Sequence, residues 1–226
     1  MSYQHQYVDG THIHFPMGKV VCIGRNYAEH AKELNNPVPT EPLLFIKAGS
    51  CVVPLDDGFT LVEGKGDVHY EAEIAVLIGK PLSRTPSAEE VRDAISGFAP
   101  ALDLTLRDLQ ATLKAKGYPW ETAKSFDGAC VLAPFVPSDA VEDLADLGIR
   151  LSLNGELRQE SSTAHWVRDI PQLIAEISEF MTLYPGDVLI TGTPQGRVDV
   201  QPGDQVEVDI TGIGRLSNTI AAEASA

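Results

Sequence analysis

The stretch VHYEAEIAVLI, Val68–Ile78, decides the architecture. Successive side chains of an extended chain point to opposite faces. On that period Tyr70, Ala72, Ile74, Val76 and Ile78 line one face, and Glu71, Glu73, Ala75 and Leu77 line the other. The apolar alternation predicts a long strand, and the same alternation sets two carboxylates side by side.

Outward from this strand, Lys19–Gly24 and Leu43–Lys47 read as strands, and Ile95–Leu104 as a buried strand interrupted by Asp103. Ser87 to Glu90 is a capping box opening a short helix. Thr105–Lys116 reads as an amphipathic helix stopped by Gly117 and Pro119. Ile149–Leu153 and Glu156–Glu160 flank Asn154-Gly155, a type I′ hairpin signal. Asp169–Leu183 reads as a helix with Pro171 in its first turn. Val188–Thr191, Gln205–Ile210 and Leu216–Ile220 are short strands between Gly and Pro turns. Near the amino terminus, residues 1–18 form a short hairpin element turning at Asp9-Gly10, and 19–226 a single catalytic domain. Asn26 caps a short polar helix over Tyr27–Leu34. Many strands and few helices, without βαβ alternation, predict a mixed α+β, β-rich fold and exclude a Rossmann fold or TIM barrel.

The chain has 226 residues, long enough to bury a core without disulfide or metal staples. Its formal charge of −15 repels phosphate backbones and anionic lipid, which excludes nucleic-acid and membrane-surface roles and favours cation binding. Cys22, Cys51 and Cys130 show no metal-ligand spacing and cannot all pair, which fits a reducing, cytoplasmic compartment. No apolar run is long enough to span a membrane.

Glu71 and Glu73 share a strand face and repel one another unless something positive lies between them. A lone Glu-x-Glu is ordinarily a solvated pair. Asp103 changes the weighing, because it interrupts an apolar run and a buried carboxylate needs a partner. That partner is either Arg107, one turn into the following helix, or a cation shared with Glu71 and Glu73. Three carboxylates with open water positions suit Mg²⁺, with Mn²⁺ or Ca²⁺ as alternatives.

His30 and Glu33 are three apart on the short helix, so the carboxylate can orient the imidazole as a general base, or the two are a surface pair. Lys47, Lys124, Arg107 and Gln110 read equally as solvated groups. Thr191 to Gly196 is a tight turn that lacks a P-loop ending, but it offers backbone N–H groups and the Thr193 hydroxyl to a carboxylate. His12, His14, His69 and His165 read as surface or satisfied core residues.

In order along the chain stand CIGRNYAEHAKE (22–33), PLLFIK (42–47) with Ser50 nearby, HYEAEI (69–74) and DLTLRDLQ (103–110). They are followed by WETAKSFD (120–127), YPGDVLITGT (184–193), and PGD (202–204) with IGRLSN (213–218). This ordered set resembles the short bacterial and mitochondrial members of the fumarylacetoacetate hydrolase family. The resemblance implies a β-roll with peripheral short helices, assembled as a homodimer. It implies metal ligation by Glu71, Glu73 and Asp103 and a His30–Glu33 dyad over the metal. Lys124 joins that dyad as a catalytic residue, and Arg25, Lys47, Arg107, Gln110 and Thr193 contact the substrate. Two places depart from the pattern: Leu102 stands where Asn is common, and Gly196–Asp199 replaces the usual Gly-Val-Gly-Pro.

The implied activity is metal-dependent cleavage of a small anionic α-keto acid through a metal-stabilised enolate. Acylpyruvate hydrolysis and oxaloacetate decarboxylation both fit. Isomerisation or decarboxylation of unsaturated diacids is an alternative, and a non-catalytic metal-binding homologue is an alternative of another class.

Overall fold

The computed structural model describes residues 3–29, 39–55, 66–84, 86–196 and 198–221. Its first strands are β1 (Val20–Gly24), β2 (Leu43–Lys47), β3 (Val52–Pro54) and β4 (Val68–Ile78). Helix α1 (Ala88–Ala94) leads into β5 (Ile95–Leu106), and α2 (Arg107–Lys116) and α3 (Glu121–Lys124) follow. Then come β6 (Cys130–Leu132), β7 (Val136–Pro137), β8 (Gly148–Leu153) and β9 (Glu156–Ser162). Helix α4 (Ile170–Phe180) precedes β10 (Val188–Ile190), β11 (Gln205–Ile210) and β12 (Gly214–Thr219).

The larger sheet runs β2-β1-β10-β4-β5-β6-β3, with β7 also on β5; the smaller runs β12-β11-β8-β9. Every pairing of these strands is antiparallel except β1 with β10 and β3 with β6.

All of β4 is buried, because apolar layers cover both of its faces. Tyr70, Ala72, Ile74, Val76 and Ile78 pack with Ile149, Leu151, Val206 and Val208 of the smaller sheet and with Leu173, Ile174 and Ile177 of α4. Ala75 and Leu77 pack on the opposite side with Cys22, Ala99, Ala101, Cys130 and Ile190. Each fully buried Leu or Ile contributes about 1.5–3 kcal/mol by leaving water.

Lys47 shows how far the curl goes. Its Nζ donates to the carbonyls of Leu104 (3.2 Å) on β5 and Ala129 (2.8 Å) beside β6. In a flat sheet β2 and β6 would lie about 24 Å apart at ~4.8 Å per strand. The larger sheet therefore rolls until its flanks meet, giving the β-rich roll with few short helices.

Local signals account for most element ends. Ser87 and Glu90 form the reciprocal capping box of α1. Asp169 accepts from the Gln172 N–H at 2.8 Å, with Pro171 in the first turn of α4. Asn154 (φ 53°) and Gly155 (φ 80°) make the β8–β9 turn. Near the amino terminus, Tyr7 N–H donates to Thr11 O and Ile13 N–H to His5 O, both at 2.9 Å, closing the expected turn. Ile13 then packs into the inner cluster, and Phe135 N–H donates to Gln6 O at 2.8 Å.

Two ends differ from the sequence reading. Thr105 and Leu106 stay in the sheet, paired with His69 and Val68, so α2 starts at Arg107. Helix α4 ends at Phe180, and Leu183 instead bridges Leu82. Asn26 ties its turn to the rest of the fold: its amide donates to Arg168 O (3.1 Å) and Thr191 O (2.9 Å) and accepts from Arg168 N–H (3.0 Å). Most of the helix expected over Tyr27–Leu34 lies outside the described residues. Among the described residues no helix is long and apolar enough to cross a membrane.

Candidate functional site

The β4–β5 register pairs Glu71 with Asp103, Ala72 with Leu102 and Glu73 with Ala101. Directly opposed residues share a face, and so do residues two apart on one strand. Glu71, Glu73 and Asp103 therefore converge on the inner side of the roll. One oxygen from each lies within 4.8 Å of the others. Their exposures are 7%, 2% and 1%, so the glutamates are not a solvated pair.

Arg107 is not the partner of Asp103. Its Nη2 pairs with Glu71 Oε1, while Nη1 donates to Gln110 Oε1 at 2.8 Å. Asp103 is held by two lysines, with Oδ1 2.9 Å from Lys47 Nζ and Oδ2 2.7 Å from Lys124 Nζ. Lys124 Nζ also lies 2.7 Å from Glu71 Oε2, so one ammonium bridges two of the three carboxylates. Thr105 adds a hydroxyl donor to Glu71 Oε2 at 3.2 Å.

Burial, then the charges of Asp103 and Glu71, push the Glu73 carboxyl well above its ordinary range; Lys124 and the Gly192 N–H oppose this. For Lys124, burial acts to weaken the ammonium, but the charges of Asp103 and Glu71 and hydrogen bonds to both outweigh it and raise its pKa. The site is thus a cluster of crowded carboxylates that binds positive charge strongly.

The turn after β10 completes one wall. Gly192 donates its N–H to Glu73 Oε2 at 2.7 Å. Its φ is +93°, and a Cβ there would meet the Asn26 Cβ at 2.9 Å, so the position demands glycine. The expectation that this turn offers N–H groups to a carboxylate is met by a carboxylate of the protein itself. Gln159, on β9, holds the turn: its Nε2 donates to Thr193 Oγ1 and Pro194 O, both at 3.0 Å, and its Oε1 accepts from Ala72 N–H.

Arg25, Arg107, Gln110, Lys124 and Thr193 all line a cavity beside the three carboxylates. Arg25 takes a left-handed backbone (φ 62°), unusual for a side chain with a Cβ, and the neighbouring Asn26 hydrogen bonds keep the chain in that turn. Lys47 does not line the cavity: it is fully buried behind Asp103, with its ammonium on that carboxylate and on backbone carbonyls. His30 and Glu33 lie outside the described residues.

Among the cavity residues that the sequence reading passed over are Phe45, Lys114 and Trp120. Phe45 precedes Lys47 by two on β2, Lys114 is on α2, and Trp120 precedes α3. Lys114 Nζ sits 4.9 Å from the Trp120 ring centroid, and Lys124 Nζ 4.8 Å from that of Phe45. Lys114 follows Gln110 by one helical turn, a signal that could have placed it on the Arg107–Gln110 face.

The donor set fits a hard divalent cation: carboxylate oxygens only, close enough to share one ion, with protein N–H and ammonium groups already drawn to them.

Known proteins match this chain closely. The family model described as fumarylacetoacetate (FAA) hydrolase C-terminal matches residues 19–221. Oxaloacetate tautomerase YcgM of Escherichia coli K12 is 46% identical over 93% of this chain and 96% of its own. Mitochondrial oxaloacetate tautomerase FAHD1 of Homo sapiens is 39% identical over 86% of this chain and 87% of its own. The crystal structure of fumarylpyruvate hydrolase from Pseudomonas aeruginosa, in complex with Mn²⁺ and pyruvate, superposes with a TM-score of 0.91 at 33% identity, covering 98% of this chain and 97% of that one. Its roll, its ordered motifs and these matches make this chain a member of the fumarylacetoacetate hydrolase family.

Proposed function

We propose that this protein is a metal-dependent enzyme acting on small α-keto acids, with dicarboxylic acids preferred and oxaloacetate the first substrate to test. The convergence of Glu71, Glu73 and Asp103 beside a cation-lined cavity carries this reading. A divalent cation held there supplies Lewis acidity that stabilises charge developing on the keto oxygen.

The residues of the chain do the rest. Glu71, Glu73 and Asp103 hold the ion. Arg25, Arg107, Gln110 and Thr193 bind and orient the substrate. Lys124, close to two of the carboxylates, offers a proton donor and positive charge to an enolate oxygen. His30, oriented by Glu33, moves the proton: from C3 in keto–enol exchange, or from water in hydrolysis. Lys47 buttresses Asp103 rather than touching substrate.

Charge supports the preference for diacids. Among the described residues lining the cavity, four cationic side chains (Arg25, Arg107, Lys114 and Lys124) face three carboxylates. That balance of one positive charge rises to three with a divalent ion. A dianion such as oxaloacetate offsets it better than a monoanion. Two of the relatives are named oxaloacetate tautomerases, which agrees with this choice.

Acylpyruvate-type hydrolysis is the second reading, favoured by the likeness to the Mn²⁺- and pyruvate-bound hydrolase. Magnesium as the resident ion, a homodimer and a cytoplasmic setting complete the proposal. The free, buried Cys22, Cys51 and Cys130 support a reducing compartment.

The test follows enolisation and loss of oxaloacetate, acetylpyruvate and fumarylpyruvate, with Mg²⁺ and with EDTA. Metal-dependent turnover abolished by His30→Ala, with metal binding kept, is expected. Undiminished turnover by metal-stripped protein would overturn the reading.

A further inference from the structure

We infer that His69 and Asp199 form a positioning pair that aims the Arg107 guanidinium into the cavity. This rests on the substrate-binding role given to Arg107 above. Neither residue lines the cavity, so both act through Arg107.

The geometry sets the chemistry. Arg107 Nε donates to His69 Nδ1 at 3.1 Å. A guanidinium has only donors, so Nδ1 must present its lone pair. His69 is then a neutral ring with its proton on Nε2. Asp199 Oδ1 lies 2.8 Å from that nitrogen, and its negative charge favours a proton there, though the two are not aligned as a hydrogen bond. With Nε engaged, the planar guanidinium cannot rotate freely: Nη1 faces Gln110 and Nη2 faces Glu71 on the cavity side.

The backbone brings the pair together. His69 and Asp199 form an isolated antiparallel bridge, and Tyr70 N–H donates to Val198 O at 3.0 Å. Val198 and Val200, on either side of Asp199, are buried at 1% and 3% and anchor the segment. Asp199 stands in the Gly196–Asp199 run, one of the two places where this sequence departs from the pattern it otherwise resembles.

His69→Gln, His69→Asn and Asp199→Ala are compared with the wild type. The Asn Oδ1 can replace Nδ1 as acceptor for Arg107, whereas Gln places its amide near the Nε2 position. His69→Gln should raise KM for oxaloacetate about tenfold, the equivalent of one charge-assisted hydrogen bond, with kcat changed by less than about threefold. Asp199→Ala should give a smaller rise of the same kind, and His69→Asn should recover most of the loss. Oxalate affinity of the Mn²⁺-loaded protein, read by calorimetry, should follow KM, with Mn²⁺ affinity and Tm unchanged. Long-range ¹H–¹⁵N correlation on the metal-free protein should show His69 protonated at Nε2. A ring protonated at Nδ1, or a His69→Gln protein with wild-type KM and oxalate affinity, would overturn the inference. If the wild type turns over no α-keto acid, the proposed function fails, while the tautomer and oxalate measurements still judge the pair.

Discussion

Lys47 Nζ lies 2.9 Å from Asp103 Oδ1, joining β2 to β5 across the inside of the roll, and both side chains are fully buried. The pair is at once a structural staple and the rear support of a metal-ligand carboxylate. A buried ammonium has value only while every proton is taken up, and here backbone carbonyls and Asp103 do that.

Lys47→Met should therefore destabilise the fold by about 3–5 kcal/mol, since it removes one of the two ammonium groups on buried Asp103 and leaves buried carbonyls without their donor. Urea unfolding of the metal-free protein measures this. Wild-type stability with a raised KM alone would mean that Lys47 contacts substrate after all.

Glu73 sets a pH dependence. Burial, with Asp103 and Glu71 beside it, raises its folded-state pKa well above the ordinary 4.5. Folding then takes up a proton between the unfolded and folded values, so Glu73 makes the metal-free protein less stable as pH rises above about 4.5. Glu73→Gln should flatten that decline in an EDTA-treated sample and abolish stabilisation by Mn²⁺. Thermal melts from pH 4 to 8, each against the wild type, decide it; an unchanged slope contradicts the assignment.

Asp103 and Lys124 should separate metal binding from chemistry. Asp103→Asn should weaken Mn²⁺ binding by more than about a hundredfold, beyond the usual effect of losing an outer partner. Lys124→Met removes a competing positive charge from Glu71 and Asp103. Its Mn²⁺ affinity should hold or rise, while kcat falls by at least about a hundredfold. Equal loss of metal in both variants would remove Lys124 from the chemistry.

Lys114 should discriminate between substrates. Burial and the nearby Arg107, Arg25 and Lys124 charges lower its pKa, so an anion in the cavity relieves that crowding. Lys114→Gln should raise KM for oxaloacetate about fivefold and for acetylpyruvate less than about twofold, with the difference shrinking at high salt. Equal effects on both substrates would show no role for the second carboxylate.

The sequence by itself determined the long β4 strand, the α1 capping box, the Asn154-Gly155 turn and the shared face of Glu71 and Glu73. Each follows from contacts within a few residues, where backbone geometry leaves little choice. Only the tertiary structure decided that Glu71 meets Asp103, that Lys47 lies behind the site while Lys124 lies in it, and that Gln159 and the His69–Asp199 pair support its walls. Strand register and sheet curl set those meetings, and they depend on the packing of the whole chain. Strands of two or three residues, such as β3, β6 and β7, are too short to show any period. Two lysines look alike in sequence; what separates them is which carboxylate oxygens and carbonyls the closing roll brings within reach.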